Sequence, residues 1–230
     1  MSEYIPAIEI KGLSKRFKRN EAVSELDVLV KPGCCYGFFG PNGAGKTTTI
    51  RCLLGLLQPQ AGSVRIFGFD PLKQEEQAKA RLAYVPENIA FYPWMTVAGV
   101  LKYTAAFYPK WHHSLADELL DRFHFTRTQK VPTLSKGQKA QLALIGAIST
   151  GCDLLVLDEP TSGLDPLNRR EFIKTVIGAF QEDRNGVRTV FVSTHLINEF
   201  EGLIERFTII DRGRALVTLD SDEARERYKK

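Results

Sequence analysis

A chain of 230 residues, 43% hydrophobic and 25% charged, has room for one large α/β domain or for a core carrying a smaller subdomain. Its net charge of +4 is too mild to argue, by itself, for nucleic acid or an anionic membrane as a partner. Cys34, Cys35, Cys52 and Cys152 lack C-x-x-C spacing and lie in apolar stretches, which predicts buried thiols in a reducing compartment. The first residues alternate apolar and polar, so no signal peptide is expected. The longest apolar run is broken by Thr150, Gly151 and Asp153, so any crossing of a bilayer is expected of another polypeptide.

Residues 7–17 and 21–33 read as two strands, the second ending at a Pro-Gly turn. Between them KRFKRN, residues 15–20, admits two readings, a solvated turn or a phosphate or base contact. The aromatic run at 34–39 predicts a buried strand, and TTIRCLLGLL at 48–57 a helix stopped by Pro59. Between strand and helix lies GPNGAGKTT, residues 40–48, the G-x-x-x-x-G-K-[ST] pattern of a phosphate-binding loop. Its glycines let the backbone wrap an anion, its N–H groups point inward, Lys46 adds a full positive charge, and Thr47 offers a hydroxyl suited to Mg²⁺.

A third strand is expected at 63–70, a short exposed helix at 74–81 and a strand at 81–88 ended by Pro86. From Ile89 to Thr126 helical periodicity and aromatics dominate, with Ser114 as a candidate helix cap and Ala116, Leu119, Leu120 and Phe123 on one face. Phe91, Tyr92 and Trp94 fit either a docking surface or ordinary core. His112, His113 and His124 have no metal-like spacing. Ser135 followed by Gln138 is a capping box, so a helix starts there whose N-terminus is either an ordinary cap or an anion site.

The run 154–157 reads as a buried strand ending in Asp158 and Glu159, at the sheet edge where α/β proteins bind ligands. There Asp158 suits a metal and Glu159 a water. Pro166 opens a helix expected to bury Phe172, Ile173, Val176, Ile177 and Phe180. After an Asn185-Gly186 turn, the strand 187–195 presents His195 at the same edge, within reach of a terminal phosphate. A helix near 198–206, two strands joined at Arg212-Gly213 and a charged tail complete the expectation.

The order GPNGAGKTT, LSKGQ, LLVLDEP, SGLD and a strand ending in STH resembles the ATP-binding subunit of an ABC transporter over nearly the whole chain. That resemblance implies an α/β fold with a P-loop NTPase core, a mainly parallel sheet, an antiparallel β subdomain and an inserted α-helical subdomain. Residues 1–230 would form one ABC ATPase domain, with the core at 1–86 and 153–230 and the helical subdomain at 87–152. It further implies ATP and Mg²⁺ as ligands, with Gly40, Pro41, Asn42, Gly43, Ala44, Gly45, Lys46, Thr47 and Thr48 as Walker A and Phe17 stacked on adenine. Asp158 with Thr47 and Glu87 would serve the metal, and Glu159, His195 and Lys46 the chemistry. Ser135, Gly137 and Gln138 match the signature that contacts ATP held by a second subunit, and Asp165 matches the D-loop. Lys136 and Glu87 depart from the family pattern, which usually has glycine and glutamine there. The YVPEN, FYPWMTV and SKGQK segments are similar to ABC-2-type exporter ATPases of the YtrB-like group. The implied partners are a like subunit, in a homo- or heterodimer, and integral membrane permease subunits, with no nucleic acid. The implied location is the cytoplasmic face of the membrane. A soluble ABC ATPase acting on nucleic acid or on an assembly is the alternative. It is disfavoured by the single P-loop and the absence of a sustained heptad run. Glu159 and His195 argue against a binding-only cassette.

Overall fold

The computed structural model describes residues 4–181, 188–200 and 202–228. Strand β1 (Ile8–Phe17) pairs antiparallel with β2 (Asn20–Val30), and Phe17 faces Asn20 at the hairpin end. KRFKRN therefore spans the end of β1, a tight turn at Lys18 and Arg19, and the start of β2, with Lys18 at φ 51. β3 (Cys35–Phe39) is buried at every position, as a strand covered on both faces must be. Helix α1 (Lys46–Leu53) stops earlier than Pro59 demanded, because Gly55 turns the chain at φ 69 and donates to the Cys52 carbonyl. β4 (Ala61–Ile66) joins the other side of β1, which completes a three-stranded antiparallel sheet in the order β2-β1-β4.

Helix α2 (Glu75–Lys79) and β5 (Leu82–Val85) follow. Between β5 and the next strand the chain runs through α3 (Val97–Ala105), α4 (His113–Arg122) and α5 (Lys136–Ser149). Thr96 caps α3 by accepting from the Gly99 N–H. Ser114 does not cap α4, which starts one residue earlier at His113. The His112 N–H donates to the Ser149 carbonyl at 2.8 Å, so a tertiary bond to the end of α5 anchors that start. Ala116, Leu119 and Leu120 are buried on α4, and Phe123 packs in part against the same core. The capping box of Ser135 and Gln138 is formed in both directions at the head of α5.

β6 (Leu154–Asp158), α6 (Pro166–Gln181), β7 (Thr189–Thr194), β8 (Arg206–Asp211) and β9 (Arg214–Asp220) complete a six-stranded sheet in the order β5-β6-β7-β3-β8-β9, parallel except for β9. Phe172 and Val176 are fully buried on α6, and Ile173 and Ile177 partly so. The side chain of Phe180 and the Asn185-Gly186 turn lie outside the described residues. Instead of a helix over 198–206 there is a single 3-10 turn, Ile197–Phe200, after which Gly202 at φ 90 redirects the chain into β8. The charged tail forms α7 (Ser221–Tyr228), with Asp222 and Glu223 in its first turn and Arg225 and Arg227 in its last, the distribution that favours the helix dipole. All four cysteines are free and buried, and burial pushes the Cys34 thiol up to about 12.

Candidate active site

Sheet order creates the site. β6, β7 and β3 are parallel neighbours, with Asp158 beside Ser193 and Phe39 beside Thr194. Their C-terminal ends therefore deliver the Walker A loop, the Asp158-Glu159 pair and His195 to one edge. The loop is held by close backbone contact: a Cβ on Gly40 would stand 2.2 Å from the Ile210 carbonyl, and one on Gly45 2.4 Å from that of Ala22. Gly45 also adopts φ 108 and precedes α1 with no side-chain cap, so the first N–H groups of the helix face the loop.

Lys46 is buried and donates to the carbonyls of Gly40 at 2.6 Å and Pro41 at 3.1 Å. Its Nζ also lies 3.1 Å from Glu159 Oε1, an ion pair by distance that is not aligned as a hydrogen bond. The other oxygen of Glu159 is 2.8 Å from His195 Nδ1. Glu159 takes φ 46, a left-handed conformation uncommon for a residue with a side chain, and its N–H is fixed to the Ser193 carbonyl at 2.8 Å. One buried carboxylate thus joins the phosphate-loop lysine to the histidine at the end of β7.

Asp158 sits directly before it, 1% exposed, with Oδ1 lacking any hydrogen-bond partner. Burial raises its pKa above the ordinary carboxylate value; the hydroxyls of Ser193 and Thr47 pull the other way, and the charges of Glu159 and Glu87 push it further up. A buried carboxylate with one unpartnered oxygen and a threonine hydroxyl beside it fits a hard cation with oxygen ligands. Among the described residues no group of three or more His, Cys, Asp or Glu could hold a metal ion. Such a cation would need further oxygens from phosphate, the usual arrangement for Mg²⁺.

A cleft of about 670 Å³ runs from Phe17 past Asn42, Gly43, Gly45, Lys46, Thr47 and Thr48 to Glu87 and Glu159. The hairpin places Phe17 at its outer end, 44% exposed, with the Lys15 ammonium 5.6 Å from its ring centre. Ala44 is buried behind the loop. Ser135, Gly137, Gln138 and Asp165 do not line this cleft. Their chain neighbours Lys136 and Leu164, with Lys139 and Ser162, line a second pocket of about 270 Å³ that shares Glu87. Gly137 packs on Asn168, and Asp165 caps α6 through the N–H groups of Leu167 and Asn168. Lys136 lies across Gly163, where a Cβ would meet its Nζ at 2.6 Å.

Sequence reasoning missed Glu21, Ala22 and Arg212 as residues of the cleft wall. Arg212-Gly213 reads locally as a turn between strands. In the fold the Gly213 N–H donates to the Ala44 carbonyl and its carbonyl accepts from Ser24 N–H, each at 2.9 Å, which seats the turn against the P-loop. No local signal marks that contact.

A protein-family model described as ABC transporter matches residues 23–162, more than half of the chain. The chain belongs to the ABC transporter family. Within that family it is an ATP-binding subunit and an ATPase. It is 35% identical over 225 residues to the bacitracin transport ATP-binding protein BcrA of Bacillus licheniformis, covering 97% of this chain and 72% of that protein. It is 27% identical over 223 residues to the ABC transporter ATP-binding protein YtrB of Bacillus subtilis (strain 168), covering 97% and 75%. Among solved structures it resembles an ATP-binding subunit of an ABC transporter, with a TM-score of 0.84, 25% identity and coverage of 96% and 93%. The same fold recurs at TM-score 0.79 and 22% identity in a dimeric ATP-binding cassette bound to ADP and Pi, covering 93% and 98%.

Proposed function

We propose that this ABC ATPase drives an exporter: it binds Mg-ATP, pairs with a like subunit, and works on the cytoplasmic face against separate membrane-spanning subunits. The observation that carries the hydrolytic part is the row in which buried Lys46 and Glu159 meet exposed His195, beside an unpartnered Asp158 oxygen. Lys46 and the loop N–H groups hold the β- and γ-phosphates, and Phe17 stacks on the base. Glu159 accepts a proton from the attacking water, and His195, bonded to its far oxygen, orients it. Thr47 and Asp158, with Glu87 nearby, would hold Mg²⁺, which when bound neutralises charge developing on the phosphates.

Ser135, Gly137, Gln138 and Asp165 lie outside the ATP cleft of their own chain, which supports their acting on nucleotide held by the partner subunit. Export as the direction is supported by relatives whose names include bacitracin transport, Nod factor export and daunorubicin resistance. We take residues 87–152 as the helical subdomain that meets the membrane subunits. Tyr92 and Trp94 stack at 4.5 Å and Tyr92 meets Tyr103 edge-on, all three exposed; Phe91 is half-buried and packs on the core instead. No helix among the described residues is long and apolar enough to cross a membrane, so this reading needs a partner that does. Detergent extraction with the full chain as bait tests it. Recovery of an integral membrane protein together with ATP-dependent dimerisation is expected. Recovery of soluble or nucleic-acid complexes only would sink it.

A further inference from the structure

Thr161, buried two residues after Glu159, donates its hydroxyl to Glu199 Oε2. Oε1 of Glu199 stands 2.6 Å from Arg169 Nη1 as an ion pair, and Arg169 Nη2 reaches the Leu164 carbonyl at 3.3 Å. The Glu199 side chain is only 10% exposed. A carboxylate so withdrawn from water is tolerated only when partners compensate it, so the three groups hold one another in place. Glu199 lies in the 3-10 turn four residues after His195, whereas Thr161 lies within, and Arg169 just beyond, the segment that runs from Glu159 through Asp165. One carboxylate therefore ties the chain leaving Glu159 to the chain leaving His195.

The pair it brackets needs such support. Glu159 at φ 46 is in a strained conformation that persists only where its surroundings over-determine it. The N–H of Glu159 is fixed on β7, and its carbonyl accepts from Ser162 N–H at 3.0 Å, next to the Thr161 anchor. We propose that Glu199, with Thr161 and Arg169, is a positioning unit that holds Glu159 and His195 in register for hydrolysis. This rests on Glu159 being the base. None of the three residues lines the cleft formed by the P-loop, so the unit governs turnover and leaves nucleotide affinity alone.

Steady-state ATPase kinetics of the purified full chain, with binding of a fluorescent ATP analogue and thermal melting, test this on Thr161→Val, Thr161→Ser, Glu199→Gln and Glu159→Gln. Expected is a fall in kcat on the order of 10- to 100-fold for Thr161→Val and Glu199→Gln, the loss typical of sub-ångström to ångström misplacement. KM and analogue affinity should stay at wild-type values, and Thr161→Ser, which keeps the hydroxyl, should restore kcat. Wild-type kcat in Thr161→Val and Glu199→Gln beside an inactive Glu159→Gln would overturn this proposal alone. Parallel loss of affinity, melting temperature and kcat would also overturn it, by showing a general scaffold role. A fully active Glu159→Gln would instead remove the reading of Glu159 as base.

Discussion

Lys46 Nζ and Glu159 Oε1 stand 3.1 Å apart, both side chains under a tenth exposed. The proposed phosphate-binding cation and the proposed hydrolytic carboxylate therefore share one buried contact, so a triphosphate drawn to Lys46 would compete directly with Glu159. Glu159→Gln removes the competing charge and the base together. Hydrolysis should fall by about 10²- to 10⁴-fold while ATP binding is retained or tightened, as read by phosphate release and by equilibrium dialysis. Wild-type turnover would refute the assignment.

The same contact predicts a stability effect. Lys46→Met leaves Glu159 buried with only His195 beside it, and loss of one partner of a buried pair costs about 3–5 kcal/mol. Urea unfolding should show a marked loss for Lys46→Met and recovery in Lys46→Met/Glu159→Gln, where the stranded charge is gone. Equal stability of the single and double variants would mean that the pair is energetically idle.

Asp158 carries a pH signature. Burial raises its pKa in the folded chain, so the stability it contributes is whole below the ordinary carboxylate range and is lost as pH rises through the raised value. Asp158→Asn should therefore unfold at higher urea than the parent at pH 7, with the difference shrinking toward pH 4, while Mg²⁺-dependent hydrolysis disappears. Parent and variant with equal midpoints at pH 7 would show that the buried charge is compensated.

Two glycines of the P-loop should separate strain from collision. Gly43 adopts φ 80, and a Cβ added there would meet nothing within 4 Å, whereas Gly45 adopts φ 108 and its Cβ would meet the Ala22 carbonyl at 2.4 Å. Gly43→Ala should lose about 1 kcal/mol of stability and bind ATP weakly, whereas Gly45→Ala, which must push the β2 backbone aside, should lose ATP binding altogether. Calorimetric titration with ATP compares them directly, and indistinguishable variants would contradict the geometry.

Trp94 is 68% exposed and stacked only on Tyr92 among the described aromatic pairs. Trp94→Ala should leave melting temperature and ATP binding of the isolated chain intact and weaken its recovery with membrane subunits. Early melting would return Trp94 to the core.

Much of this site was legible in the sequence because its motifs are contiguous. A glycine-lysine loop, two acids closing an apolar strand and a reciprocal cap at Ser135 each carry their geometry within a few residues. The helix over 198–206 and the Ser114 cap failed for the opposite reason. Burial of Phe200 and the bond from His112 to Ser149 come from residues distant in the chain, and these override local propensity. Arg212 at the cleft and Glu199 behind it stand in stretches with no pattern of their own.

By itself, then, the sequence determined that the chain carries a phosphate-binding loop, since local backbone chemistry makes the P-loop recognisable, and the order of its companion motifs carried the resemblance to the family. Only the tertiary structure decided that Lys46, Glu159 and His195 meet through one carboxylate, and that Thr161, Glu199 and Arg169 brace it. Those contacts depend on β6, β7 and β3 lying side by side, and strand order follows from how the whole chain buries its apolar faces.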